Sequence, residues 1–529
     1  MIRDKSNYLK ILLTIFFIVC VILPLVQMFS YIDGASFDAV VSQPMFVPAV
    51  INSLKAAFLA TLISVVLALL LSYCLARSNM RLKNMFKIIL SLPMLIPSIS
   101  HGWGLRMLLG NSGILTTWLG LEEGIYGLAG IVIGSVMYSF PIAFLMLSDV
   151  MHYEDASPYE AADVLGIGKV RQFTGITLPY LSKPLISVVF SVFTMVITDY
   201  GVPKALGRAD FKTLPMLLLD EVQSMDYTFG KGGIYGVLLL TPAVVAFIID
   251  LLKKEQSRSN FVNKTIKPRQ NILRDIVCYA VCILMSLTVF FPIAAFVLQS
   301  LVKSYPNDLS LTFDHIRSTL MSNGDTYLIN SLIVSAAVAI IGTAVAYLCA
   351  YCTARTDGPL SRGLHLASIT SMAVPGIVLG LSYVMFFSGS PLTGTLAILI
   401  LVNSMHFFAS PYLMIYNSFN IINKNLEDVG ATLNISRPRI LMNVLIPQTK
   451  DTLLEMMSYF FVNSMMTISA VTFLAKGNSF QLSLMINTFT DNFNMGGAAF
   501  VSLMILCVNL LVKTGVFVLK KALKKKKAR

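Results

Sequence analysis

The chain has 529 residues, of which 56% are hydrophobic and 13% are charged. Its mean hydropathy is +0.75, and an average soluble domain carries roughly 25% charged residues. This composition excludes a soluble globular enzyme, a disordered chain and a collagen-like fibre. Because a bilayer-spanning helix needs about 20 mostly apolar residues, the chain has room for on the order of a dozen spans. We therefore predict an all-α membrane protein embedded in a lipid bilayer.

The formal net charge of +13 comes from 40 lysines and arginines against 27 acids. The basic residues lie in short loops, such as the one from Arg77 to Lys87, and in the tail from Lys520 to Arg529. The stretches 31–50 and 111–124 hold acids and no lysine or arginine. This asymmetry is typical of cytoplasmic loops of membrane proteins. Both termini are predicted to be cytoplasmic, and no nucleic-acid partner is predicted.

Hydropathy predicts about twelve spans in two halves. They lie near 11–30, 50–76, 84–109, 125–149, 184–206 and 233–252, and near 273–301, 328–353, 363–388, 392–417, 452–475 and 497–519. The stretch 253–272 is rich in lysine and arginine and is predicted to be a cytoplasmic linker between the domains 1–252 and 273–529. The first span is predicted to be an uncleaved helix, because its apolar run is longer than that of a signal peptide and no A-x-A site follows.

The two halves contain copies of the same short motifs. Both copies begin on the same side of the membrane if each half has six spans, so the repeat is parallel. The alternative is chance matching within apolar sequence, which is a poor explanation for several matches at one offset. The matches are Asn52-Ser53-Leu54 with Asn330-Ser331-Leu332, Ala76-Arg77 with Ala354-Arg355, and Pro97 and Gly102 with Pro375 and Gly380, all offset by 278 residues.

A segment too polar to lie in lipid follows the fourth predicted span, within 151–182. It resembles the E-A-A-x-x-x-G-x9-I-x-L-P motif of permease subunits of binding-protein-dependent ABC importers. The resemblance implies a short coupling helix and a turn that dock on an ATPase subunit. The residues that match the motif are Glu160, Ala161, Ala162, Gly166, Ile176, Leu178 and Pro179.

The residue types in this segment suit a short helix followed by a turn. Glu160, near a helix start, interacts favourably with the positive end of the helix dipole. Ala161 and Ala162 allow the backbone of a partner to approach closely. Gly166 can adopt the left-handed conformation that ends a helix, and Pro179 can restart one, since proline is tolerated in the first turn. The alternative is an ordinary loop helix closed by a glycine cap.

A second, degenerate copy of the motif lies within 419–450, at an offset of 268 residues. It keeps an acid, a small residue and an apolar residue before proline. Asparagine replaces the glycine and tolerates the left-handed conformation. The departures from the motif leave the relative strength of the second coupling segment open. The aligned residues are Asp428, Val429, Gly430, Asn434 and Pro447.

As a fused pair of permease domains, the whole chain resembles the ferric-iron, 2-aminoethylphosphonate and thiamine permeases. The resemblance implies the type I ABC importer fold, with about twelve transmembrane helices in two six-helix repeats, in a bacterial cytoplasmic membrane. It also implies two copies of an ATPase, which bind ATP and Mg²⁺, and an extracytoplasmic solute-binding protein. Alternating access would move a small solute inward. Ferric iron is the first candidate for this solute, and 2-aminoethylphosphonate, thiamine or polyamine are the alternatives.

No enzyme activity and no cofactor are predicted for the chain itself. A G-x-x-x-x-G-K-[ST] phosphate loop is absent from the sequence, because Gly168-Lys169 precedes a valine and Gly230-Lys231 precedes a glycine. ATP hydrolysis is therefore expected in a partner subunit. An ion-coupled secondary transporter is the rival interpretation, since such proteins also often have twelve spans in two halves. It would not need the two motif segments.

Polar residues in the spans are candidates for the solute pathway. An acid at membrane depth usually faces a cavity or a partner, so Asp199, followed by Tyr200, is one candidate. Alternatively, Asp199 lies near the outer surface and is hydrated. Thr467 aligns with Asp199 at the 268 offset, and it and Asn463 are candidates for pathway lining or interhelical hydrogen bonds.

No metal site is predicted. His101 and His406 lie near span ends, where single histidines are expected to be packed or hydrated rather than to bind iron.

Overall fold

The computed structural model describes residues 2–120, 122–152, 154–252, 266, 268, 270–423 and 425–527. Nearly all of its regular elements are helices, as predicted for an all-α membrane protein. The predicted linker at 253–272 lies largely outside the described residues, and its assignment stays a prediction.

In the first half of the chain the α-helices are α1 (Ile2–Phe17), α2 (Leu23–Ser30), α3 (Gly34–Val41), α4 (Phe46–Arg77), α5 (Lys83–Ser91), α6 (Ser98–Leu109), α7 (Ile114–Leu119), α8 (Gly127–His152), α9 (Ser157–Val164), α10 (Lys169–Gln172), α11 (Leu178–Ile197), α12 (Gly201–Leu206), α13 (Leu214–Val222) and α14 (Phe229–Leu252). Short π-helical turns lie at Ile18–Ile22 and Phe173–Thr177, and a 3₁₀ turn at Leu92–Leu95.

In the second half they are α15 (Ile272–Leu301), α16 (Asp314–Met321), α17 (Gly324–Ala354), α18 (Pro359–Thr370), α19 (Gly376–Phe386), α20 (Leu396–His406), α21 (Ala409–Ile421), α22 (Leu426–Thr432), α23 (Arg437–Ile440), α24 (Ile446–Gln448), α25 (Lys450–Met466), α26 (Leu482–Asp491) and α27 (Met495–Lys527). A π-helical turn lies at Leu441–Leu445, and 3₁₀ turns lie at Ser371–Ala373 and Gly477–Ser479. An antiparallel hairpin joins β1 (Val302–Ser304) to β2 (Asp308–Leu311).

Among the described residues, eight helices are long and apolar enough to cross a membrane, or eleven if each of three bent helix pairs is one span. These eleven overlap eleven of the predicted spans. The bounds 184–206 are wrong as a continuous helix, because the long helix there is Lys169–Ile197 and a break at residues 198–200 separates it from α12. The prediction of a continuous span over 452–475 is wrong, because α25 ends at Met466, Thr467 is extended, and residues 469–474 form turns. A break at Thr449 separates α25 from the helical residues before it, which leaves a helix of only 17 residues.

The predicted spans 84–109 and 363–388 are not straight helices. Their two parts meet at angles of 101° and 107°. In each, the bend lies before a proline that caps the second part, Pro97 before α6 and Pro375 before α19. A proline clashes with a preceding residue in the helical conformation, and Ile96 and Val374 are accordingly extended. Hydropathy does not report such a bend, since both parts are apolar.

The described chain forms two compact units that do not follow the sequence halves. The first-repeat unit comprises residues 41–220 and 241–313, and the second-repeat unit comprises residues 1–40, 221–240 and 314–529. The helix that opens each half therefore belongs to the unit built mainly from the other half. In the second-repeat unit, the Tyr383 hydroxyl donates to the Cys20 carbonyl at 2.6 Å. In the first-repeat unit, the Arg81 N–H donates to the Tyr279 hydroxyl at 2.9 Å.

Equivalent hydrogen bonds in the two units support the internal repeat. The Leu214 N–H donates to Ser53 Oγ at 2.8 Å, and the Leu482 N–H donates to Ser331 Oγ at the same distance. The two serines are 278 residues apart and the two leucines 268, which are the two offsets that the sequence contains. The asparagines before the serines also donate to loop carbonyls, Asn52 to Lys212 and Asn330 to Asn478 and Phe480.

Small residues bring the helices of each unit close together. A stripe of small side chains along α4 is buried, and Ser64 Oγ lies 2.8 Å from Ser139 Oγ on α8. In the other unit, Gly342 of α17 faces the Phe460 ring of α25, which a Cβ atom would approach to 2.9 Å. Helices in lipid gain little from hydrophobic burial, so close packing and buried polar bonds hold them together.

Gly102 of α6 makes one of these close contacts. A Cβ atom at this position would lie 2.6 Å from Ala205 Cβ and 3.2 Å from Val202 Cα of α12. Since the second of these is a backbone atom, relief requires α6 and α12 to separate.

We predict that Gly102→Ala destabilises the protein by about 1–3 kcal/mol, the usual effect of overpacking. Gly363→Ala is the matched control, because a Cβ at this helical position has no heavy atom within 4 Å and alanine is favoured over glycine in a helix by up to about 1 kcal/mol. The midpoint temperature of thermal unfolding is measured for both purified variants in detergent. Equal midpoints for the two variants would contradict the close approach of α6 and α12.

Candidate functional site

The first coupling segment, residues 151–182, contains the helix α9. Glu160 lies in the first turn of α9, as predicted. Glu160 and Ala161 are exposed, whereas Ala162 is buried. Of the two alanines, only Ala161 is therefore open to a partner, and Ala162 packs within the segment.

The turn after α9 has the predicted left-handed residue. Gly166 has φ of +69°, and the Ile167 N–H donates to the Ala162 carbonyl at 2.9 Å. The Gly166 N–H also reaches back, to the Asp163 carbonyl at 3.2 Å. These bonds close the helix in the manner of a Schellman cap, in which a left-handed residue lets following N–H groups satisfy the last carbonyls.

The second coupling segment, residues 419–450, has the same turn after α22. Asn434 has φ of +56°, and the Ile435 N–H donates to the Gly430 carbonyl at 2.7 Å. Asp428 and Val429 are exposed and Gly430 is buried, like the three aligned residues of the first segment. Asn434, a residue type that tolerates the left-handed conformation, adopts it here as Gly166 does. The degenerate sequence thus folds to the same local structure.

One departure of the second copy from the motif has a steric explanation. A Cβ atom on Gly430 would overlap Cδ1 of Ile440 and lie 3.2 Å from its Cγ1, so the Ile440 side chain would have to shift. The residue aligned with Ile440 in the first segment is Gln172, whose amide donates to Asp163 Oδ1 at 2.6 Å and to the Ile167 carbonyl at 2.8 Å. The second segment therefore has glycine where the first has Ala162, and it has the apolar Ile440 where the first has Gln172.

The helix after each turn begins earlier than predicted. In the first segment it starts at Lys169 and passes through the π-helical turn before Pro179, which lies in the first turn of α11. In the second segment, Pro447 likewise follows a π-helical turn, Leu441–Leu445. A proline has no N–H for the carbonyl four residues before it, and a π-helical turn accommodates the lost bond. Ile176 is half-buried, and Leu178, Pro179 and Pro447 are exposed.

A largely buried arginine side chain, that of Arg77, ties the first coupling segment to the end of α4. Arg77 Nη2 lies 2.6 Å from Glu154 Oε2, and the guanidinium stands 4.3 Å from the centre of the Tyr159 ring. The Tyr159 hydroxyl donates to Glu154. Burial raises the pKa of the Glu154 carboxyl above its usual value, against the opposing effects of the Tyr159 hydroxyl and Arg77. Burial and the bond to Glu154 also raise the pKa of Tyr159.

An arginine also ties the second coupling segment to the end of α17. Arg355 Nε donates to Glu427 Oε1 at 2.8 Å, and Nη2 pairs with the other carboxylate oxygen. The guanidinium also donates to the carbonyls of Ile422 and Asn423 at 2.8 and 2.7 Å. In the sequence, Arg77 and Arg355 mark the repeat, and Arg77 also belongs to a basic loop, but neither was predicted to bind a coupling segment. An arginine at the equivalent position of both repeats was the sequence feature from which this role could have been predicted.

Each coupling segment exposes apolar and charged side chains around its turn. Leu165 is 74% exposed and the aligned Leu433 is 65% exposed. Acids lie before these leucines and basic residues after them, Arg171 in the first segment and Arg439 in the second. Clustered exposed apolar residues with a polar rim are typical of protein interaction sites.

The pathway candidate Asp199 takes part in local hydrogen bonds. Ser98 Oγ donates to Asp199 Oδ1 at 2.6 Å, and the Val202 N–H donates to Oδ2 at 2.9 Å. The carboxylate thereby joins the start of α6 to the start of α12, and it is half-buried. The neighbouring Tyr200 is buried.

In the other repeat, Asn463 donates to the Tyr459 carbonyl of its own helix at 2.8 Å. Thr467 is buried, and its carbonyl accepts from Ser483 Oγ at 2.7 Å. These bonds hold Asp199, Asn463 and Thr467 in place, and the role of the four candidates in the pathway stays a prediction.

The two histidines are packed. His101 is buried, and its Nε2 lies 3.0 Å from the Pro93 carbonyl. His406 lies beside Gly376, where a Cβ would be 2.8 Å from Nε2. Within the described part of the chain, no three His, Cys, Asp or Glu side chains form a group that could hold a metal ion.

Two curated relatives match nearly the whole chain. The ferric transport system permease protein FbpB of Actinobacillus pleuropneumoniae is 25% identical over 496 residues, which are 89% of this chain and 72% of the relative. A putative ferric transport system permease protein of Haemophilus influenzae is 26% identical over 90% of this chain and 78% of its own. The molybdenum transport system permease protein ModB of Azotobacter vinelandii is 27% identical over 33% of this chain and 80% of its own.

A solved structure, that of a bacterial alginate ABC transporter in complex with a periplasmic protein, matches half of this chain and 97% of its own with a TM-score of 0.39 and 19% identity. The family model described as "Binding-protein-dependent transport system inner membrane component" matches residues 60–258 and 342–525. Each match contains one of the two coupling segments and most of one repeat. The chain therefore belongs to the family of inner membrane components of binding-protein-dependent transport systems, and it contains the family's domain twice.

Proposed function

We propose that each coupling segment docks one copy of a separate ATPase subunit, and that ATP binding and hydrolysis there drive alternating access in this permease. The observation that carries the proposal is that two segments of different sequence close with the same left-handed turn beside an exposed leucine. An exposed apolar side chain of this size contributes about 1.5–3 kcal/mol when a partner covers it.

The proposal includes the orientation and the other components of the importer. The two coupling segments and both termini face the cytoplasm of a bacterium, which the lysines and arginines of the short loops and the tail support. ATP and Mg²⁺ are bound by the ATPase and not by this chain. A solute-binding protein delivers the substrate from the other side, in keeping with the description of the family.

We propose ferric iron as the substrate. The support is that two relatives matching about nine-tenths of this chain are ferric transport permeases, whereas the molybdenum permease matches a third of it. In this proposal the solute-binding protein recognises the metal, and the permease passes the released ion.

We predict that Leu165→Glu and Leu433→Glu each weaken ATPase binding by about tenfold or more, since burial of a leucine is worth about 1.5–3 kcal/mol and about 1.4 kcal/mol corresponds to tenfold. The measurement is the amount of ATPase that co-purifies with the tagged chain. Leu309→Glu on the β-hairpin is the matched control, because Leu309 is similarly exposed, at 59%. Undiminished ATPase in the double variant of Leu165 and Leu433 would reject the docking site.

The left-handed turn at Gly166 is expected to be necessary for docking. Gly166→Asn should keep ATPase binding and uptake, since the second repeat has asparagine in this conformation. Gly166→Val should reduce both, because a side chain other than asparagine or aspartate adds about 1–2 kcal/mol of strain there. Uptake and co-purification are compared at equal expression. Equal behaviour of the two variants would show that the turn does not matter for docking.

The energy source separates an ABC importer from an ion-coupled secondary transporter. We predict that proteoliposomes holding the chain, its co-purified ATPase and ATP take up radioactive ferric iron when the solute-binding protein is added outside. Proteoliposomes with a proton or sodium gradient but no ATP should take up none. Uptake driven by the gradient alone would favour the secondary transporter. ATP-driven uptake of molybdate instead of iron would support the importer mechanism but reject ferric iron as the substrate.

A further inference from the structure

The two coupling segments are fixed by arginines at the same place in the repeat. Arg77 is the last residue of α4, and Arg355 immediately follows α17. In each unit this long helix is central, since α4 packs against α8 and α11 and α17 packs against α21 and α25. The arginine is therefore where the coupling segment meets the helix bundle of its own unit.

The two arginines bind their segments through acids at different positions. Glu154 lies before α9, and Tyr159 is the residue of α9 that contacts Arg77. At the 268 offset, Glu427 aligns with Tyr159, and Ile422 aligns with Glu154. The second repeat thus has its acid on the coupling helix itself and uses the Ile422 carbonyl where the first repeat uses a carboxylate. Both arrangements have the arginine at the same position, but their acids lie at different positions.

Burial distinguishes these ion pairs from those on the surface. The side chains of Arg77 and Glu154 are 11% and 3% exposed, and those of Arg355 and Glu427 are 1% and 9% exposed. In contrast, the Lys87–Asp149 pair has side chains that are 38% and 65% exposed. Exposed pairs contribute little, whereas removing one partner of a buried pair leaves an uncompensated charge.

We infer that Arg77 and Arg355 are positioning residues, each of which fixes the orientation of its coupling helix relative to the central helix of its unit, so that movement of a docked ATPase passes into the bundle. This inference rests on the proposed function for the docking step, but the fixed orientation belongs to the chain alone. The planar guanidinium suits this task, because its donors point in fixed directions, whereas a lysine ammonium has no such geometry.

The orientation is measured on the full-length chain without any partner. Spin labels on Val164→Cys of α9 and Leu82→Cys after α4 report the distance between the coupling helix and the end of the central helix. Both positions are exposed, and Cys507, the exposed cysteine among those described, is replaced by serine. We expect a narrow distance distribution in this background and a broad one when Arg77→Gln is added. Lys87→Gln, which breaks the exposed pair, should leave the distribution narrow.

A transplant of the second arrangement tests whether the arginine is the common element. Glu154→Ile alone should broaden the distribution, and the double variant Glu154→Ile with Tyr159→Glu should restore a narrow one, because it supplies the acid at the position of Glu427. An arginine that served only general stability would not be rescued by moving its acid. A broad distribution in the double variant would therefore count against the inference.

The conservative variants Arg77→Lys and Arg355→Lys keep the charge and guard against failure to fold. Each variant is labelled on the coupling segment that its arginine contacts. Each should broaden the distance distribution while the chain still elutes as a single species in detergent. The same variants, reconstituted with the ATPase, should move at least about fivefold less solute per ATP hydrolysed, the lower end of typical coupling between sites. ATPase binding itself should be retained.

The outcomes separate this inference from the proposed function. If Arg77→Gln and Arg77→Lys both give the narrow distribution of the unmodified background, the positioning role is overturned, whatever the ATPase does. If they broaden it but no ATPase binds the unmodified chain, the positioning role stands and the docking proposal fails. A broad distribution with an unchanged ratio of solute to ATP would show that the orientation does not transmit force, which also overturns the inference.

Discussion

The structure of each repeat depends on one long helix that holds loops at both of its ends. At the start of α4, Ser53 accepts the N–H of Leu214, and at its end Arg77 binds Glu154. The helix α17 does the same with Ser331 and Arg355. These are the residues of the Asn-Ser-Leu and Ala-Arg motifs by which the sequence shows its duplication. The motifs coincide with these bonds, since buried polar groups near a bilayer need fixed partners.

The two coupling segments show how one backbone structure survives a degenerate sequence. Glycine at 430 leaves room for Ile440, and Asn434 adopts the left-handed conformation of Gly166. The changes come in compensating sets, because interior volume and hydrogen-bond partners must be matched locally. The two segments of this chain differ in sequence, and both have the left-handed turn and the arginine. The resulting asymmetry distinguishes this chain from an assembly of two identical subunits.

The chain supplies a membrane pathway and its family supplies the context of a binding protein. The pathway candidates show that polar residues near the bends serve the architecture: Asp199 joins the starts of α6 and α12 by accepting from Ser98 and the Val202 N–H. A carboxylate with these partners is held in place by the same bonds that hold the bend. Any change at Asp199 therefore acts on the geometry of α6 and α12.

The sequence by itself determined the membrane class, eleven of the spans, the duplication, and local features such as Glu160 in a first turn and left-handed Gly166 and Asn434. These follow from residue type and near neighbours, which fix hydropathy and backbone preference. Only the tertiary structure decided that α1 and α15 join units built mainly from the other half, and that Arg77 and Arg355 find Glu154 and Glu427. Such contacts join residues far apart in the chain, and in lipid the apolar faces of all helices are nearly equivalent, so the hydropathy pattern contains no record of which helices become neighbours.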